Sequence, residues 1–276
     1  MSLKTTESLE IDVLVVGGGP AGSATANLLA QEGHDVLLVE REKFPRFHIG
    51  ESLLPYSLPI LEKMKVLEEI NNHGFQKKYG AHFVFEPGGN LCNVSFEEGL
   101  DQGYEMAYHV RRSEFDHILL QKAREMGADV REEHRVKSFE VDGNRVKGAH
   151  VVDREGRSLH VHAKVVVDAS GRDTLLGSQL GLKEKDPLLK QGSIFTHYRG
   201  ADVDMGREGG DIMICGTPAG WFWLIPFDAE TSSIGVVLPS AKMRERKGRS
   251  IEEFFDAMVA ESPELSRRLK GAEKIR

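Results

Sequence analysis

Residues Ile11-Asp12-Val13-Leu14-Val15-Val16-Gly17-Gly18-Gly19-Pro20-Ala21-Gly22 decide the reading of the fold. Ile11 to Val16 is a short, mostly apolar run rich in β-branched residues, the pattern of a strand buried in a parallel sheet. It leads directly into a GxGxxG loop made by Gly17, Gly19 and Gly22. Ser23 to Gln31, rich in Ala and Leu, reads as a helix that Gly33 can end, and Val36 to Val39 as a second strand ending in Glu40. Each part has a task if a dinucleotide binds. Gly17 allows the tight turn, Gly19 lets the backbone approach a pyrophosphate, and Gly22 lets helix and strand pack closely. The helix N-terminus, at Pro20 and Ala21, turns free N–H groups and the positive dipole end toward the phosphates. Glu40 stands where an acid accepts hydrogen bonds from the adenosine ribose, with Arg41 beside it at the same edge of the expected cofactor site.

Outward from this unit, 276 residues at 40% hydrophobic content suffice for a sizeable core. The net charge of −7 offers no global basic field for nucleic acid. No apolar run approaches the roughly 20 residues of a membrane-spanning helix. The polar, acidic N-terminus is unlike a signal or transit peptide, so a cytoplasmic location is expected. Cys92 and Cys215 are far apart in sequence and are expected to be reduced, partly buried thiols. The 11 histidines are scattered, with no HExxH motif, and no metal site is expected.

Further along, residues 44–59 are interrupted by Pro45, Pro55 and Pro59 and read as a long loop. Leu61 to Ile70 has the spacing of an amphipathic helix. Tyr79–Phe85, Leu91–Phe96 and Tyr104–Val110 alternate like strands of one antiparallel sheet. A helix is predicted from about Ser113 to Met126. Val136–Val141, Val146–Val152 and Leu159–His162 suggest a three-stranded meander. An apolar strand before Asp168 follows. Residues 193–198, 211–215, 221–226 and 233–238 return to strand patterning, and Ile251 to Val259 to a helix. The expected class is α/β, a Rossmann-like cofactor domain interrupted by a largely antiparallel sheet that carries the substrate. The expected boundaries are 1–77 and 111–190 for the cofactor domain, 78–110 and 191–276 for the sheet.

Several segments resemble one family. Arg112 to Asp116, RSEFD, and Asp168 to Arg172, DASGR, look like the RxxFD helix and DASG turn of FAD-dependent monooxygenase-type flavoproteins. In that family the arginine matching Arg112 lies near the FAD phosphates, and the turn matching Asp168 and Gly171 passes close to the cofactor. Trp221-Phe222-Trp223-Leu224-Ile225-Pro226 matches the WxWxIP motif of flavin-dependent halogenases. Gly50-Glu51-Ser52-Leu53-Leu54-Pro55 is similar to the GESLLP stretch near the flavin in those that act on phenols and related aromatics. Lys77-Lys78-Tyr79-Gly80-Ala81 resembles the segment with their catalytic lysine, and the KxGA spacing selects Lys78. Read without the resemblance, these are a bulky core strand and two solvated lysines at a strand start.

The resemblance implies a specific chemistry. Reduced FAD, supplied by a separate flavin reductase, would use oxygen and chloride or bromide to form hypohalous acid, which Lys78 relays to a small aromatic substrate, free or tethered to a carrier protein. Gly50, Glu51 and Ser52 would lie near the flavin. Trp221, Trp223, Ile225 and Pro226 would keep substrate and flavin apart. No second GxGxxG is present for a nicotinamide cofactor, which fits a flavin reduced elsewhere or through an atypical site. The family's later GDAA segment does not occur in these 276 residues, so the chain is expected to lack the family's C-terminal part. Two alternatives stay open: a flavin hydroxylase or reductase of the same fold, and a non-catalytic flavin-binding fragment.

Overall fold

The computed structural model describes residues 7–275 except 87, 89, 100–102, 188 and 205–209. In chain order, β1 (Glu7–Val16), α1 (Pro20–Gln31) and β2 (Val36–Val39) precede α2 (Leu58–Lys63), α3 (Leu67–His73), β3 (Gln76–Lys78), β4 (Gly80–Phe85), β5 (Asn90–Ser95) and β6 (Ala107–His109). Next come α4 (Arg112–Glu125), β7 (Asp129–Arg131), β8 (Arg135–Asp142), β9 (Arg145–Val152) and β10 (Ser158–Asp168). β11 (Gln191–Arg199), β12 (Ile212–Thr217), β13 (Gly220–Pro226) and β14 (Thr231–Pro239) follow, then the helices Ile251–Ala260 and Pro263–Arg268, and β15 (Glu273–Lys274).

Two compact units interleave along the chain. The first takes the segment ending at Ile49, Pro59–His73 and Arg112–Glu184; the second takes Gly50–Leu58, Gly74–Arg111 and the segment from Lys185 onward. Residues 50–58 and 74–77, Arg111 and the stretch beginning at Lys185, which the sequence pattern assigns to the cofactor domain, therefore group with the second unit.

The first unit is built on a sheet in the order β7-β2-β1-β10-β9-β8, with β7, β2, β1 and β10 parallel and β9 and β8 antiparallel additions. β1 reads as continuous apolar sequence because both its faces are covered. Leu14 and Val16 pack with Leu37, Val151 and Val161 on one side, while Val13 and Val15 pack with Ala26 of α1 and Leu120 and Ala123 of α4 on the other. β10 shows why two expected strands are one. Its first half pairs antiparallel with β9, and the whole strand runs parallel to β1, from Glu7↔Leu159 to Val16↔Asp168.

The second unit holds a seven-stranded sheet, β15-β11-β14-β13-β12-β4-β5, antiparallel except for the β12–β4 pair, and the separate ribbon β3–β6. Phe222, Leu224, Cys215 and Val236 face the helix side, where Phe254, Phe255 and Leu265 complete a core.

Two expectations need correction. The helix expected over 61–70 is two helices, α2 and α3, separated at Lys65, whose φ is 58°. Met64 and Val66 flank the break and are both buried, so one set of apolar residues serves the broken and the continuous form alike. The strand expected over 104–110 does not join β4 and β5; it is the short β6, paired with β3. Alternation reveals a strand but not its partner. Among the described residues no helix is long and apolar enough to cross a membrane.

Candidate active site

In the first unit the carboxyl ends of β1 and β2 open into a cavity of about 430 Å³. Gly17 turns the chain there at φ +108°, and a Cβ at this position would fall 2.5 Å from the carbonyl oxygen of Ala169. At Gly22 the approach is closer still, 1.8 Å from the oxygen of Gly17. These two glycines are demanded by backbone against backbone. Gly19 differs: a Cβ there would have only Arg46 nearby, at 3.6 Å. It lines the cavity with Pro20 and Ala21 at the start of α1, so its missing side chain leaves room for a ligand rather than for the protein. That is the opening a pyrophosphate needs.

Charge follows the same logic. Asp116 of α4 is fully buried and holds two guanidinium groups, Arg46 at 3.0 Å and Arg112 through a fork of 2.6 and 2.9 Å. Arg112 also donates to the carbonyl of Ile49, at 2.8 Å. Two cations against one carboxylate leave a net positive charge on residues lining the cavity, as a diphosphate requires. Arg46 is a site residue that the sequence motifs do not reveal, since it lies in the proline-broken loop. Glu40 is buried and accepts from the backbone N–H of Gly18 (2.7 Å) and of Glu42 (2.9 Å). Each carboxylate oxygen keeps a second lone pair for ribose hydroxyls. Arg41 lines the cavity, ion-paired with Asp173, as does Gly171 at φ +65°.

Asp168 is placed differently. Its oxygens accept from the N–H and hydroxyl of Ser170 and from the N–H of Leu176, at 2.8 Å. It does not line the cavity; it shapes the turn that does.

The second unit contains the lysine. Lys78 is 2% exposed, on β3, and its ammonium donates to Ser52 Oγ at 2.8 Å. The Phe96 ring lies 5.2 Å from Nζ. Burial pulls its pKa down to about 8, against a smaller upward pull from Asp211, so a substantial neutral fraction exists near physiological pH. Ser52 arrives through backbone pairing: Val110 N–H donates to the Glu51 carbonyl at 2.8 Å and Leu53 N–H to that of Tyr108 at 2.9 Å. The Gly50-Glu51-Ser52 stretch thus lies along β6 while β3 lies along its other edge, bringing residues 26 apart in sequence together.

Two further groups belong to this site and escape sequence inspection. His109 shares the ribbon face of Lys78, by the pairings Lys78↔Ala107 and Gln76↔His109. It is 1% exposed, and burial together with the charge of Lys78 drives its pKa down to about 3, leaving a neutral imidazole. The buried Glu51 reaches His197 Nε2 at 3.2 Å. Glu51 and Ser52 are consecutive, so the loop meets the sheet through one side chain and Lys78 through the next.

The tryptophans occupy the sheet face opposite Phe222 and Leu224. Trp221 and Trp223 have ring centroids 6.2 Å apart; Trp223 is buried, donates to Ser233 Oγ at 3.2 Å, and lies where a Cβ on Gly235 would stand 2.1 Å from its ring. Trp221 is 38% exposed. The cross-strand register puts Ile225 beside Ser233 and His197 beside Ser233 in turn, on this same face, while Pro226 pairs opposite Ser232. His197, the partner of Glu51, therefore shares a face with the tryptophans.

The FAD binding domain family model matches residues 10–271. The chain is 35% identical to the 1H-pyrrole-2-carbonyl-[peptidyl-carrier protein] chlorinase of Pseudomonas fluorescens over 97% of its length and 64% of the relative's. It is 36% identical to the tryptophan 2-halogenase of Chondromyces crocatus, over 91% of the chain and 48% of that protein. Among solved structures, the myxobacterial chondrochloren halogenase CndH superposes with a TM-score of 0.90 at 31% identity, covering 97% of the chain and 61% of that structure. The chain thus spans between about half and two thirds of the length of these relatives.

Proposed function

The chain belongs to the FAD-binding-domain family, with flavin-dependent halogenases among its relatives, and from that premise we propose that it carries the flavin and lysine sites of a halogenase acting on an electron-rich aromatic substrate. The observation that carries the proposal is Lys78: a buried amine with a lowered pKa, hydrogen-bonded to Ser52 of the Gly50-Glu51-Ser52 stretch.

The first unit fits FAD. Gly17, Gly19, Pro20 and Ala21 present backbone to the diphosphate, with Gly22 allowing the close helix. Arg46 and Arg112 supply the net positive charge, Glu40 the ribose contacts, and Arg41 and Gly171 line the remaining wall. Bound in its reduced form, FAD supplies the oxygen activation that oxidises chloride or bromide to hypohalous acid. The absence of a second GxGxxG is consistent with reduction by a separate flavin reductase.

Lys78 does the rest of the chain's own chemistry. As an ammonium it donates a hydrogen bond to the oxygen of HOX; as an amine it exchanges a proton for halogen and releases water. Either way the aromatic ring gives up H⁺ and takes the electrophilic halogen, and the lysine is regenerated. Neutral His109 places no competing cation beside it. Trp221, Trp223 and Ile225 wall the substrate side and disfavour direct oxygen transfer, while Pro226, on the other face by strand alternation, ends the strand that presents them. Relatives named for a carrier-bound pyrrole and for tryptophan support a small aromatic substrate, free or carrier-tethered.

The test supplies the chain with reduced FAD, oxygen, bromide and an electron-rich phenol or pyrrole. Brominated product is expected from the wild type and none from Lys78→Met, with equal FAD binding in both. Bromination surviving in Lys78→Met removes the lysine's role, and hydroxylated wild-type product turns the assignment to a hydroxylase.

A further inference from the structure

On the first unit's sheet, far in sequence from the lysine, β8, β9 and β10 place a second cluster of reactive side chains. Phe139, Val151 and Val161 point into the core. By strand alternation, Glu140, His150, His160 and His162 share the opposite face. We propose that Glu140, His160 and His162 form a binding site for a divalent transition-metal cation of the zinc class.

The three residues offer ligand atoms that all lie within 4.8 Å of one another. Glu140 Oε2 is 3.0 Å from His160 Nε2 and 3.6 Å from His162 Nδ1. Zinc–nitrogen and zinc–oxygen bonds of about 2.0–2.1 Å at tetrahedral angles put neighbouring ligand atoms about 3.3 Å apart. The two separations from Glu140 bracket that value, and the two imidazole nitrogens lie within 4.8 Å of each other, so the three atoms already surround a point an ion can occupy. The donor set, two imidazoles and one carboxylate, is the kind zinc takes where a fourth position stays open.

The backbone prepares the gap. In the cross-strand row Glu140↔Gly148↔His162, the central residue is glycine, and a Cβ there would lie 1.9 Å from the Val161 carbonyl oxygen. The middle strand thus contributes no side chain between the two ligands. His150, opposite His160, stacks on its ring at a centroid distance of 4.3 Å and restricts its rotation. A bound ion would join β8 to β10 across β9. The sequence signal was present: His160-Val161-His162 is an HxH pair on a strand, which puts both imidazoles on one face. Its carboxylate partner lies 20 residues earlier and becomes visible only with the meander formed.

The site is independent of flavin chemistry, and binding tests it without turnover. Zinc chloride is titrated calorimetrically into the untagged chain, and cobalt(II) is followed by its visible absorption. One equivalent is expected, with tetrahedral-type cobalt bands. Affinity should fall at least about tenfold in Glu140→Gln and more in the double variant His160→Gln/His162→Gln; His150→Gln keeps the stoichiometry. Circular dichroism checks the variants' fold, and the half-exposed Glu140→Gln decides if the double variant is misfolded. No binding by the wild type, or unchanged affinity in folded Glu140→Gln, overturns the proposal.

Discussion

The flavin cavity and the lysine pocket are made of different materials. The cavity is shaped by backbone: Gly17 and Gly22 meet carbonyl oxygens within 2.5 Å of where a side chain would begin, and Glu40 is spent on two N–H groups. The lysine pocket is shaped by side chains brought from separate places, with Lys78 on β3, Ser52 and Glu51 on a loop, His109 on β6 and His197 on β11. A backbone-built site tolerates few sequences but tolerates them locally. A side-chain-built site depends on strand pairing, and its pieces have no meaning until they are paired.

The largest effect expected from breaking this contrast is at Gly22. In Gly22→Ala the new methyl would sit 1.8 Å from the Gly17 oxygen, so backbone must move, at a cost above the roughly 1–3 kcal/mol of ordinary overpacking. FAD fluorescence titration should show binding lost. Wild-type affinity in that variant would mean the helix can slide, and the cavity would not be backbone-defined. Next is Asp116→Asn, which leaves Arg46 and Arg112 facing each other beside a neutral amide. Removing one member of a buried charge cluster costs about 3–5 kcal/mol, measured as a lowered urea midpoint. Saturating FAD should recover part of that loss, because its diphosphate replaces the missing negative charge. Recovery absent at full FAD occupancy would show that the two arginines do not face the phosphates.

The same contrast explains what could be read in the sequence. The strand, glycine loop, helix, strand and acid of residues 11–40 are consecutive, and each constraint is local, so both the fold class and the cavity floor were legible. Arg46 was not, because nothing in a proline-broken loop says that a lysine or arginine turns inward. Lys78 was legible only through resemblance, since composition makes two adjacent lysines solvated. Its partner Ser52 is brought to it across β6, a three-residue strand whose expected partner was wrong. His109 and the Glu51–His197 contact needed that pairing too. The break at Lys65 was hidden because Leu61, Met64, Val66 and Ile70 are buried on either side of it.

Lys78 gives the middle-sized prediction. Its pKa is about 8 in the folded chain against an ordinary value of 10.5. Between these values the unfolded chain binds the proton and the folded chain does not, so this group's contribution to stability rises with pH from about 8 to 10.5. Below pH 8 the buried ammonium is a net cost of up to about 3 kcal/mol. Lys78→Met should therefore be more stable than the wild type at pH 7, and the difference should shrink toward pH 10.5. Urea midpoints of both proteins across that range measure it. A difference independent of pH would show the amine is not desolvated, and the halogen-relay role would lose its electrostatic basis.

The smallest effect sharpens the comparison from the other side. Arg41 and Asp173 form an ion pair at the wall of the flavin cavity, each side chain nearly half exposed. Solvent-screened pairs of this kind contribute about 0–1 kcal/mol, so Asp173→Asn should change the urea midpoint little, and less still at high salt. Without Asp173, Arg41 keeps its 3.5 Å pairing with Glu42 but has one carboxylate fewer to neutralise it, and FAD affinity should hold or tighten by less than about tenfold. If affinity instead collapses, Asp173 is holding Arg41 in a geometry the cofactor needs. The wall of the cavity would then depend on side chains from distant segments, as the lysine pocket does, and only its floor would be backbone-built.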